Sequence, residues 1–379
     1  MGVAAHAKLA LLFAIASSPA AGALSSHQPA KAGEQTGDLS KRQCSLCRIR
    51  LVPVTTLRGS GDSVLLDERG PVVRDRDGNF VVWTSERGRI AKFDRAGRLI
   101  RVFGRSGAGP GEFSTNFGPL LPLPDGRLAV FEAGAVSIFS PDLNFETRLR
   151  QPIRVMGNPI AISARTIVVP GLLLSTEATG HPLHVMDIVD GAISSFGADA
   201  RGSDTRKCSA CMTRHLAQPD THGRVWVARH RSFQLEHWQY RQRVRQTVLN
   251  PVAPWFPEAI GASLESGELA ANSTIPVVRA LWRDSSDRLF VLGGAPADGK
   301  VQRQRTLPRG AVSPTQDDEG VMRKEVIDVI DSRTGIRLTT LELKAPPYYK
   351  SLGNGYLAYT EEDEEGAVSI RIIRVVLAS

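Results

Sequence analysis

Apolar residues in this chain come in short runs cut by glycine, aspartate and arginine, and few stretches hold a helical period. Val72 to Gly104 reads VVRDRDGNFVVWTSERGRIAKFDRAGRLIRVFG, and Pro119 to Arg150 reads PLLPLPDGRLAVFEAGAVSIFSPDLNFETRLR. Each has a strand, an Asp-Gly turn, a second strand, a third ending in Phe-Asp or Phe-Ser, and a fourth. Asp125-Gly126 repeats Asp77-Gly78 after 48 residues. A period of this size with about four strands per unit predicts a propeller.

The pattern extends along the chain. A third, looser blade runs over Ile160 to Val169, Leu183 to Val189 and Ala192 to Gly197. The fourth is His215 to Leu249, where Gly223-Arg224-Val225-Trp226-Val227 repeats Gly78-Asn79-Phe80-Val81-Val82. The fifth begins at Val277, has Asp287 to Val291 as its second strand, and resumes at Val326 to Asp331 after a charged insertion, Pro296 to Lys324. The sixth is Lys350 to Leu377, with strands Gly355 to Thr360 and Val368 to Val376, and is one strand short. Arg48 to Leu57 is an orphan strand at the other end of the chain. As the outer strand of blade six it closes the ring and removes an exposed edge. The expected fold is all-β: a six-bladed propeller with four-stranded blades, closed by an N-terminal strand. Pro257 to Glu268 is the best short-helix candidate, and Glu258 to Thr274 is where a seventh blade could hide.

At Gly104 to Phe113 the chain resembles a known family. FGRSGAGPGEF, then PDGRLAVFEAG and a strand ending IFSP, is similar to the NHL-type six-bladed propeller repeat. The resemblance is specific over blades one and two, fair in blade four and loose elsewhere. It implies a propeller that binds proteins, nucleic acids or glycans. A minority of six-bladed propellers are metal-dependent lyases or hydrolases, with polar side chains around the central channel. No such set aligns here, so the resemblance assigns no catalytic residue.

Composition sets the compartment and the partner class. The chain has 379 residues, 42% of them hydrophobic and 23% charged, enough for a large core and against global disorder. The net charge of +8 favours anionic partners, but the charges are spread along the chain. Phe233, Trp238 and Tyr240 alternate with arginines between Arg224 and Arg245. Inward apolar and outward basic positions of strands explain this more cheaply than base stacking, so nucleic acid is disfavoured. Lys8, the apolar run Leu9 to Ala16 and Ala21-Gly22-Ala23 form a secretory signal pattern. The expected organisation is a signal peptide over 1–23, a flexible leader over 24–43 and one propeller over 44–379, secreted or periplasmic, with no transmembrane segment.

Candidate chemistry is sparse. Cys44/Cys47 and Cys208/Cys211 are two C-x-x-C pairs. Two local disulfides, a four-cysteine metal site and a redox dithiol all remain open, and an exported compartment favours disulfides. No histidine follows either pair, which excludes covalent haem attachment. Gly104 to Gly111 lacks the Lys-Ser/Thr and helix of a phosphate loop, and reads as a blade-to-blade turn. His181, His184, His215 and His222 have no metal-ligand spacing, and no Gly-x-Ser-x-Gly elbow is present. Asp317-Asp318-Glu319 and Glu361 to Glu365 read as solvated turns rather than calcium sites.

Arg214, His215 and Arg279 should lie where the inner strands of blades four and five open at the channel mouth. Two guanidiniums beside an imidazole would suit a carboxylate or phosphate, although each arginine could instead pair with a nearby carboxylate. No catalytic residue, metal or cofactor is assigned. The leading expectation is a binding module for a protein, peptide or glycan. The alternatives are a metal-assisted lyase or hydrolase in the channel, and a redox or metal-handling protein using the cysteine pairs.

Overall fold

The computed structural model describes residues 33–35, 44, 46–59, 64, 66, 70–113, 118–174, 181–197, 215–220, 223–230, 232–251, 253–256, 276–296, 323–343 and 348–378. Their strands form six antiparallel blades. Blade one is Val72–Arg74, Phe80–Trp83, Ile90–Phe93 and Leu99–Phe103. Blade two is Leu120–Pro122, Leu128–Glu132, Ala135–Phe139 and Phe145–Arg150. In blade three the first position is divided between Ile153–Val155 and Ile160–Ala161, which both pair with Thr166–Leu173; Leu183–Asp187 and Ile193–Phe196 follow. Blade four is His215–Pro219, Arg224–Arg229, Ser232–Gln239 and Val244–Leu249. Blade five is Val277–Arg283, Arg288–Pro296, Arg323–Asp331 and Arg337–Leu343.

Blade six takes three strands from the end of the chain, Lys350–Gly353, Tyr356–Glu362 and Val368–Ala378. Its outer strand is Arg48–Arg58, paired antiparallel to Val368–Ala378 from Arg48↔Ala378 to Arg58↔Ser369. This is the expected closure. Leu57 is fully buried with Val72, Phe80, Ile370 and Ile372, so the closing strand contributes to the core between blades six and one. Pro53 and a bulge at Val54 interrupt its free edge, which blunts it against further strand pairing.

Each blade turns on the same local chemistry. Asp75 accepts the Asn79 amide at 2.8 Å through Oδ1, and Gly78 sits at φ +84°. Asp94 and Gly97 repeat this between the third and fourth strands, as do Asp284 and Asp287 in blade five. A type I turn followed by one left-handed residue makes such a hairpin, which is why Asp-x-x-Gly recurs. The core is divided into six apolar clusters, one at each seam between neighbouring blades.

Within the expected leader, Gly33–Gln35 pairs in parallel with Thr247, Val248 and Leu249, adding a fifth strand to blade four. The short-helix candidate over 257–268, the possible seventh blade over 258–274, most of the blade-five insertion and the signal pattern lie outside the described residues. Among the described residues, no helix is long and apolar enough to cross a membrane.

Candidate functional site

The alternation of strand direction gives the ring two unlike faces. One carries the turns from first to second strands and the outer hairpins. At three of the six seams the first-to-second turns are latched blade to blade. Arg76 donates to the Pro124 carbonyl at 3.1 Å, Arg127 to the Ala164 carbonyl at 2.7 Å, and Arg283 pairs with Asp220 at 2.6 Å. Asp220 also holds His237 at 2.8 Å, while Trp226 stacks on the His237 ring with centroids 4.3 Å apart. Burial lowers the His237 pKa against the pull of Asp220. Arg76, Arg127 and Arg283 on this face are thus spent on the protein's own carboxylates and carbonyls.

The opposite face carries the ends of the second strands and the starts of the first strands, among them Pro296 and Arg323, which flank the blade-five insertion. Trp83 Nε1 donates to the Gly118 carbonyl here at 2.9 Å, and Lys350 Nζ to the Gly70 carbonyl at 2.9 Å. Connections around a rigid ring are where binding groups are usually displayed.

His215 is the first residue of the blade-four inner strand and Arg279 the third of blade five. The structure places both at this face, on neighbouring inner strands, and His215 is buried. Arg214 lies outside the described residues. Arg279 is the extra residue of a β-bulge, since Val278 pairs with Gly293 and Ala280 with Leu292. Bulges re-aim side chains in this way. His230 fixes the bulge from blade four: the Val278 amide donates to its carbonyl at 2.8 Å, and its ring Nδ1 donates to the Val278 carbonyl at 2.6 Å.

The Arg279 side chain is 8% exposed and forms an ion pair with Glu325, which is 2% exposed. The ring of Tyr348 lies over the guanidinium, 4.0 Å from centroid to Cζ. The Tyr349 amide donates to the other Glu325 oxygen at 3.3 Å. Arg279 therefore meets solvent behind Tyr348, which is 40% exposed. A guanidinium sandwiched between a carboxylate and an aromatic ring holds that ring in one orientation.

Turn offsets in the sequence lead to Arg214, with His215 beside it, and to Arg279, but not to Glu325, Tyr348 or His230. Tyr348-Tyr349 just before an inner strand was the available signal: two aromatic residues at a channel mouth. Glu325 had none, because its partner lies 46 residues away across the insertion.

The remaining candidates resolve locally. Cys44 and Cys47 are disulfide-bonded, while Cys208 and Cys211 lie outside the described residues, as do His222 and Asp317 to Glu319. The glycine-rich turn cradles a carboxylate of its own: Glu112 accepts the Gly109 amide at 2.8 Å and pairs with Arg105. These contacts hold the Glu112 carboxyl below its ordinary pKa, the amide first. His184 is fully buried, with Nε2 3.1 Å from the Gly171 carbonyl and Nδ1 2.8 Å from Ser195 Oγ. In the acidic run, Asp363 accepts the amides of Glu365 and Ala367. Among the described residues, no three His, Cys, Asp or Glu side chains converge as metal ligands would.

No protein-family model matches the chain, and no curated protein matches it in sequence. Its likeness to solved structures is one of fold. A Bacteroides fragilis NCTC 9343 protein, named as a candidate for export, superposes with a TM-score of 0.53 at 11% identity, over 90% of this chain and 99% of that one. The fold is a β-propeller. The Neurospora crassa Pan2 WD40 domain superposes at a TM-score of 0.47 with 8% identity, over 86% and 95% of the two chains. An inactive variant of Staphylococcus aureus virginiamycin B lyase gives 0.43 with 10% identity, over 87% and 100%. Neither of these two scores carries an argument about this propeller's chemistry. The resemblance to the NHL-type repeat rests on its own residues, with no family model behind it.

Proposed function

We propose that this protein is an exported binding module that presents the Tyr348 face of its ring to a protein, peptide or glycan. The observation that carries this reading is the asymmetry of the faces. One carries short turns, latched to one another at three of the six seams. The other presents Tyr348, an exposed aromatic ring braced on the buried Arg279–Glu325 pair. A braced aromatic at a channel mouth offers a flat stacking surface at low entropic cost. Arg279 serves this reading as the brace beneath Tyr348 rather than as a ligand contact, and the net charge of +8 favours acidic ligands. Export is supported by the signal pattern at 1–23 and by the name of the Bacteroides fragilis neighbour.

The test is calorimetric titration with a glutamate-rich peptide and, separately, with an oligogalacturonate, using wild type and Tyr348→Ala. Binding of either ligand that weakens at least about tenfold in the variant supports the reading, a loss of ~1.4 kcal/mol. No binding of either, or binding indifferent to Tyr348→Ala, overturns it. Tyr348 is partly exposed, so the variant keeps the fold needed for the comparison.

A further inference from the structure

A second feature lies away from the channel, where the closing strand begins. Cys44 and Cys47 form a disulfide with unequal exposure: Cys47 is 6% exposed, while Cys44 is partly open to solvent. The Cys47 amide donates to Cys44 Sγ at 3.1 Å. The Cys47 carbonyl is held from two sides, by Thr339 Oγ1 of blade five at 3.4 Å and by the Arg48 guanidinium at 3.5 Å. Leu46, between the sulfurs in sequence, is 77% exposed.

We infer that Cys44–Cys47 is an exchange-competent disulfide that accepts electrons from cysteine thiols of an extended polypeptide. Each observation supplies one part of that chemistry. Attack on a disulfide needs an accessible sulfur, and Cys44 is the more exposed of the two residues. Its thiolate has a hydrogen-bond donor already in place in the Cys47 amide, and hydrogen bonding to the charged form favours it. Cys47 stays seated through its own carbonyl, whose two donors do not depend on the S–S bond. Leu46 is an apolar contact for a polypeptide beside the reacting sulfur.

The step balances as a two-electron exchange. A substrate thiolate attacks Cys44 Sγ; the S–S bond breaks, and Cys47 leaves as a thiolate that takes up a proton. The second substrate thiolate then attacks the sulfur joined to Cys44. The substrate gains a disulfide, Cys44 leaves as a thiolate, and the protein holds the dithiol. The propeller's disulfide is reduced and the substrate dithiol is oxidised, one for one. This inference is independent of the reading of the channel mouth.

The full-length exported chain is equilibrated in glutathione buffers from oxidising to reducing, quenched with a thiol-alkylating reagent, and mapped by peptide mass. Mapping reports Cys44/Cys47 separately from Cys208/Cys211. The expected result is reversible reduction of Cys44–Cys47 within the glutathione range while the circular dichroism spectrum stays folded. Cys47→Ser should accept one glutathione on Cys44, and Cys44→Ser should leave Cys47 at least tenfold less modified. Leu46→Ser should slow oxidation of a reduced two-cysteine peptide but leave the rate with glutathione unchanged. A disulfide that resists glutathione, reduction that unfolds the protein, or equal labelling of the two single variants would overturn the inference. An unchanged peptide rate in Leu46→Ser would overturn the role of a polypeptide as substrate.

Discussion

The indole N–H of Trp255 donates to Oδ2 of Asp328 at 2.7 Å, joining the connection after blade four to the middle of blade five. The ring fits there because residue 293 is glycine: a Cβ at that position would overlap Trp255 Cη2. Thr340 donates to the other Asp328 oxygen at 2.5 Å, and Arg337 lies 3.9 Å away. Burial nevertheless dominates and raises the Asp328 pKa above the ordinary carboxylate range. A raised pKa favours the protonated acid in the fold. Its stabilising contribution is thus full at low pH and is lost as pH rises through the folded-state value.

Wild type should therefore lose stability as pH climbs above about 4, relative to Asp328→Asn, which cannot ionise. Urea unfolding of both proteins at a series of pH values checks this, and parallel curves would refute it. Asp328→Ala should cost about 1–3 kcal/mol, because it leaves the indole N–H without its acceptor.

His184 works in the opposite direction. A carbonyl can only accept, so Nε2 carries the proton toward Gly171, and Nδ1 accepts from the Ser195 hydroxyl. Burial pushes the His184 pKa down to about 4. The neutral ring is favoured in the fold, so its stabilisation is present above pH 6.5 and is lost as pH falls toward 4. The loss should reach about 3 kcal/mol and then level off. His184→Gln should remove that slope in chemical denaturation between these pH values. A slope equal to that of wild type would place the acid sensitivity elsewhere.

Closure by Arg48–Arg58 predicts a long-range dependence. Leu57→Ala should cost about 2–5 kcal/mol, the usual penalty for emptying a fully buried leucine site. Deleting residues 48–57 should lower the melting temperature sharply, because it exposes the edge of Val368–Ala378 and opens the seam to blade one. Melting curves of both variants test the ring, and an unchanged curve for the deletion would refute its closure.

Much of the architecture is local and could be read from residue order. Asp75 and Gly78 make their turn with each other, as do Asp94 and Gly97, so the chemistry that ends one strand and begins the next lies within five residues. Repetition of that unit set the blades, and the orphan strand Arg48 to Leu57 followed from a count that left the last blade incomplete. Arg279 was reached as a position for the same reason, an offset from a turn placing a residue along its strand, and His215 as the neighbour of Arg214. What those side chains do was decided by tertiary structure. Arg279 meets Glu325 across the insertion, Trp255 reaches Asp328 from the connection after blade four, and Thr339 meets Cys47 from the far end of the chain. Such pairs depend on the angle between blades and on where a bulge turns one side chain. Both arise from packing of the whole ring, and no short window of sequence contains them.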